Sequence, residues 1–172
     1  MDINYIELYE FIRSQMKAHR RSKIIYVPNP GNLGDALIRL GAIKFLNDFG
    51  FEFSEVDPKN IDSGSFSQDS LILYGGGGAW CHLWKAGVTA VRKLATFGPV
   101  IVLPSTYELN FSIDNVSFYC RELESMKRVE GRFCHDMAFY LSPLKSAPVT
   151  KKMASFFGRI RNLLIRIIPK ET

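Results

Sequence analysis

Several short stretches carry residue types that chemistry needs. The first, PNPGNLGDALI at residues 28–38, sets Gly31, Asn32, Gly34 and Asp35 ahead of an apolar run. Glycine permits close approach, asparagine offers a donor and an acceptor, and the backbone N–H groups that open a helix attract anions. Two readings stand side by side. One is a cradle for a phosphate or sugar group in which Asp35 addresses a hydroxyl; the other is a tight turn in which Asp35 only caps the next helix. No G-K-[ST] follows, so the stretch is not a P-loop.

The second stretch is GGGGAW at residues 75–80, directly after the apolar LILY. Each glycine costs roughly 0.5–1 kcal/mol in ordered structure, so Gly75, Gly76, Gly77 and Gly78 together ask for a reason. A ligand lying against bare backbone, with Trp80 or Trp84 as a stacking face, is the expectation. A loose connector is the other reading, and the bulky residues on both sides weigh against it. In LPSTYE (103–108), Ser105, Thr106 and Glu108 follow a strand end, where they either meet a ligand or simply start a turn. In YCRELES (119–125), Arg121 either holds an anionic ligand bidentately or pairs structurally with Glu122. His135, followed by Asp136, is a candidate for contact with substrate, set against a packed histidine. Cys81–His82 and Cys134–His135 lack the C-x₂₋₄-C spacing of zinc ligands, so no metal site is expected.

The surrounding pattern says what must position these residues. Ile3, Ile6, Leu8, Phe11 and Ile12 recur at helical spacing, which predicts an opening helix over 3–20. KIIYV (23–27), FEFSEV (51–56), LILY (71–74), VIVLP (100–104) and SFYC (117–120) read as strands, with RFCHD as a last one. Helices are expected from Asp35 to about Phe49, stopped by Gly50, then over 82–96, and as a short charged helix over 121–129. Strands alternating with helices imply right-handed crossovers and a mostly parallel sheet with helices on both faces, an α/β fold. Ligands of such sheets bind beyond the carboxyl ends of the strands, which points to the loops 28–35, 75–82, 104–108 and 120–122.

Bulk properties narrow the class. The 172 residues, 47% apolar and 23% charged, suit one globular domain. The net charge of +5 is local: residues 1–150 hold 16 basic and 16 acidic side chains, while 151–172 hold six basic and one acidic. A basic nucleic-acid-binding groove is therefore not expected. Three cysteines without pair spacing, and an N-terminus lacking a signal-peptide core, suggest a reducing cytoplasm.

Taken in order, GNLGDALI (31–38), ILYGGGG (72–78), VIVLPST (100–106) and CRELES (120–125), with HDMAF (135–139) after them, resemble the polysaccharide pyruvyl transferase family over about residues 24–140. The resemblance implies a Rossmann-like domain that is one half of a GT-B-like architecture. It implies transfer of a pyruvyl group from phosphoenolpyruvate to a sugar hydroxyl in cell-surface polysaccharide synthesis, with phosphoenolpyruvate as donor substrate and no cofactor. Gly31, Asn32, Gly34, Asp35, Gly75–Gly78, Ser105, Thr106, Arg121 and Glu122 would be cleft residues, with Asp35 and Arg121 the candidates for chemistry. Family members are usually about twice as long, and their donor-binding basic residues lie mainly in a second domain. This half is thus expected to face the acceptor, a sugar or lipid-linked saccharide. Two alternatives stay open: a non-catalytic sugar- or nucleotide-binding remnant that docks to a membrane or partner enzyme, and half of a GT-B-type glycosyltransferase.

The expected domain covers 1–148, followed by a basic amphipathic helix over 149–172. Met153, Phe156, Phe157, Ile160, Leu163, Leu164, Ile167 and Ile168 form one apolar stripe, with Arg159, Arg161 and Arg166 off it. Residues 151–168 either pack on the domain or dock on an anionic membrane surface or a partner subunit. The expected location is cytoplasmic, peripheral at the inner face of the membrane.

Overall fold

The computed structural model describes residues 2–62, 66, 67, 69–81 and 86–141. They belong to one compact unit, Met1–Leu141. The expected tail helix, including 151–168, and the residues His82 and Trp84 lie outside the described residues.

The element order is α1 (Ile3–Ala18), β1 (Lys23–Val27), α2 (Leu33–Asp48), β2 (Phe53–Glu55), β3 (Ser70–Tyr74), β4 (Gly77–Trp80), α3 (Ala86–Leu94), β5 (Val100–Tyr107), β6 (Val116–Cys120) and β7 (Gly131–Phe133). The sheet runs β2-β1-β3-β5-β6-β7, with β4 also paired to β5, and every pairing is parallel. It is a Rossmann-like α/β sheet, as the alternation of elements implied.

Both faces of the sheet are covered, which explains the unbroken apolar runs of its strands. Ile24 and Tyr26 of β1, Leu71 and Leu73 of β3, and Ile101 and Leu103 of β5 pack under α1 and α2. The intervening residues Ile25, Val27, Ile72, Tyr74, Val100 and Val102 pack on the other face with Val91 and Leu94 of α3. The period of two along a strand thus splits one apolar run between two cores.

Several expected boundaries shift for physical reasons. α2 begins at Leu33 rather than at Asp35, because Asn32 is the N-cap and Asp35 sits one turn in. The expected second strand shortens to Phe53–Glu55, and the last, expected over RFCHD (132–136), lies at Gly131–Phe133. Two expected loops are partly strand: β5 continues through Ser105 to Tyr107, and Gly77–Trp80 pairs with it. The charged helix over 121–129 is absent; only Ser125–Lys127 forms a 3₁₀ turn, with no side-chain cap. Across 121–129 only Ser125 and Val129 are buried, while the apolar Leu123 and Met126 stay exposed, so no apolar face packs to drive a helix.

Candidate functional site

The carboxyl ends of the strands converge on one open cleft of about 570 Å³. The turn from β1 into α2 forms one wall through Asn29, Asn32, Gly34 and Asp35, and Gly78 and Arg121 line the cleft as well.

The wall is built by a reciprocal cap. Asn32 Oδ1 accepts from the Gly34 N–H at 2.7 Å, while Asp35 Oδ2 accepts from the Asn32 N–H at 2.8 Å. Two otherwise unpaired N–H groups of the helix start are satisfied in this way. The other carboxylate oxygen, Oδ1, accepts from Asn29 Nδ2 at 3.3 Å, and Asn29 Oδ1 in turn accepts from the Tyr74 hydroxyl at 3.0 Å. Burial, with the Asp35 carboxylate second, raises the Tyr74 hydroxyl above its ordinary pKa, so it stays a donor. The capping reading of Asp35 is thus what the hydrogen bonds show, and the same side chain lines the cleft. The type and spacing of Asn29 do not mark it in the sequence; only its place at a strand end, in the loop 28–35, points to it.

Arg121 is fixed from two sides. Its Nε donates to Thr106 Oγ1 and its Nη1 to Asp136 Oδ2, both at 2.7 Å. The expected Arg121–Glu122 partnership is replaced by Arg121–Asp136, because Glu122 turns back to accept from the Ser125 N–H and hydroxyl. Burial pushes Glu122 up, but the Ser125 hydroxyl and the backbone N–H groups outweigh it, so its pKa is lowered. The third guanidinium nitrogen of Arg121, Nη2, lies beside Gly78 in the cleft.

The glycine run answers mostly to its own chain. A Cβ on Gly75 would meet the Asn29 nitrogen at 2.5 Å, and one on Gly76 would overlap the Pro104 carbonyl oxygen. Gly77 has φ +132° and faces Asp35 Oδ1. Gly78 alone of the four is exposed, and it alone lines the cleft. The bare-backbone expectation is therefore corrected for Gly75–Gly77: what passes close is the β1–α2 turn and β5. Trp80 is no stacking face, being buried against Tyr74, Tyr107, Phe111 and Phe118. Ser105 is fully buried and donates to the Leu103 carbonyl, away from the cleft. Thr106 reaches the cleft only through Arg121. His135 packs on Tyr5 and Phe133 with Asp2 Oδ2 3.4 Å from Nε2, and is not among the cleft residues.

A Rossmann-like domain with a polar cleft at the carboxyl edge of its sheet is thus the class that fold and site define. Residues 32–171 match the model of the polysaccharide pyruvyl transferase family, and the chain belongs to that family. No curated protein matches the chain in sequence. Among solved structures, an uncharacterized protein from Klebsiella pneumoniae superposes with a TM-score of 0.69 at 23% identity, over 87% of this chain and 62% of the other. That likeness is one of fold, and the present chain spans less than two thirds of the Klebsiella chain's length.

Proposed function

We propose that this domain forms the acceptor side of a pyruvyl transferase of cell-surface polysaccharide synthesis, with phosphoenolpyruvate as donor and a sugar bearing two hydroxyls as acceptor. The observation that carries this reading is the charge of the cleft. Arg121 is the sole cation lining it among the described residues; it faces the Asp35 carboxylate and is already paired with Asp136. A donor carrying both phosphate and carboxylate needs more than one partnered guanidinium to offset desolvation. A neutral ring of hydroxyls suits amides, one carboxylate and one guanidinium.

In this arrangement Asp35 accepts from a sugar hydroxyl, and Arg121 Nη2 faces the anionic donor meeting the acceptor across the cleft. The two hydroxyl oxygens form two bonds to the central carbon of the enol ester, whose bond to the phosphate oxygen breaks. The methylene gains one hydroxyl proton to become a methyl, and phosphate leaves with the other. Work at the inner face of a membrane, on lipid-linked saccharides, belongs to the same reading. Among the described residues, no helix is long and apolar enough to cross a membrane.

Incubation of the full chain with carbon-labelled phosphoenolpyruvate and lipid- and nucleotide-linked sugars, with ketal read by NMR, tests the proposal. Labelled ketal that disappears with Arg121→Ala supports it. A folded chain that neither transfers to nor binds any of those saccharides overturns it. Asp35→Asn keeps an oxygen to accept from the Asn32 N–H. A fall in transfer of about 10²-fold with an unchanged unfolding midpoint would assign the charge to proton transfer. Equal loss of transfer and stability would assign it to the cap.

A further inference from the structure

The cleft does not end at Arg121. A second groove of about 400 Å³ shares Gly34, Ile38 and Arg121 with it and runs on between Leu37 of α2 and Phe139. Glu122 and Asp136 form its polar edge.

Phe139 is 66% exposed, although its segment is firmly held. Met137 and Tyr140 on either side are buried, and the Met137 carbonyl packs so closely on α2 that only a glycine, Gly41, fits beneath it. The Ala138 N–H donates to Asp136 Oδ1 at 2.9 Å, the Phe139 N–H to the Asp136 carbonyl at 2.9 Å, and the Tyr140 hydroxyl to Asp48 at 3.1 Å. A rigid turn therefore presents an aromatic ring to water, beside two carboxylates and an arginine. Leu37, also exposed, faces the same groove.

This combination suits a sugar ring. A pyranose offers an apolar face of C–H groups to an aromatic ring while its rim of hydroxyls donates to carboxylates and accepts from a guanidinium. Asp136 and Glu122 keep lone pairs beyond the bonds that Arg121 and Ala138 make to the first and the Ser125 N–H and hydroxyl make to the second. Because Arg121 borders both hollows, a ligand filling them would pass it continuously.

We infer that the groove between Leu37 and Phe139 holds the saccharide ring next to the one that reacts, with the exposed Phe139 ring as its stacking platform. The inference rests on the acceptor reading of the cleft given above. The cleft orients the reacting ring, and the groove adds affinity and selects for chain length.

The test is a printed array of mono-, di- and trisaccharides probed with the full chain, followed by calorimetry on the best disaccharide and its component methyl glycosides. The disaccharide is expected to bind about ten-fold more tightly than either component, as one added aromatic contact would give. Phe139→Ala removes that gain and leaves monosaccharide affinity unchanged, while Phe139→Trp keeps it. Equal affinity for mono- and disaccharide, or an equal loss of both with Phe139→Ala, overturns the groove and leaves the cleft reading standing. A concentration-dependent dimer that dissolves with Phe139→Ala, without effect on saccharide binding, also overturns it, since a second copy would then be the occupant. Absence of binding to any saccharide overturns the cleft reading itself.

Discussion

Arg121 Nη1 lies 2.7 Å from Asp136 Oδ2, in a pair whose side chains are only 30% and 12% exposed. The two residues come from the ends of neighbouring parallel strands, β6 and β7, and meet because the strands place both loops on one edge of the sheet. With Thr106 holding Nε, one direction remains for Nη2, and that direction is the cleft.

Asp136→Ala frees that guanidinium while leaving it half-buried. A charge-assisted hydrogen bond contributes about 1.5–3 kcal/mol, so a urea midpoint shifted by an equivalent amount is expected. Asp136→Asn retains an oxygen for one of the two bonds and should fall between wild type and Ala. If Asp136→Ala unfolds at the wild-type urea concentration, the pair does not hold the site together.

The glycines divide sharply. A methyl at Gly76 would overlap the Pro104 carbonyl oxygen, within β5, where the backbone has little room to retreat. Gly76→Ala should therefore destabilise by at least the 1–3 kcal/mol typical of overpacking. A methyl at Gly78 has as its nearest neighbour Arg121 Nη2, at 3.6 Å, an ordinary contact. Gly78→Ala should stay within about 0.5 kcal/mol of wild type while narrowing the cleft. Thermal melts of the two variants side by side check this, and equal effects would refute the division.

Glu122 sets a pH dependence. Burial raises its pKa, but bonds from the Ser125 hydroxyl and the backbone N–H groups outweigh that, and the folded value lies below the usual 4.5. A depressed folded pKa means the carboxylate stabilises the fold above the unfolded value and loses that contribution as pH falls through the folded one. Glu122→Gln should thus be less stable than wild type at pH 7, with the gap closing as the solution is acidified below about pH 4. Urea titrations across that range would show the opposite trend if the Ser125 bonds did not favour the ionised form.

Much of this is written in the chain itself. The apolar runs KIIYV, LILY and VIVLP had to be strands buried on both faces, since nothing polar interrupts them, and helices had to supply both covers. A helix start near Asp35 was legible, because a cap is made within one turn of chain, while the N-cap itself is Asn32, three residues earlier. The family, too, was legible in motif order.

Tertiary structure decided what local spacing cannot encode. Four identical glycines differ only in what lies across from them: Asn29, Pro104, Asp35 or the open cleft. Arg121 chose Asp136, fifteen residues away, over its neighbour Glu122, because strand pairing brought the distant carboxylate into line while the adjacent one turned to Ser125. Phe139, one residue of the short apolar run after His135, became an exposed ring because Met137 and Tyr140 took the core positions around it. Capping and periodicity act over a few residues and are written in the chain; close approach and charge pairing act through space and wait for the sheet to form.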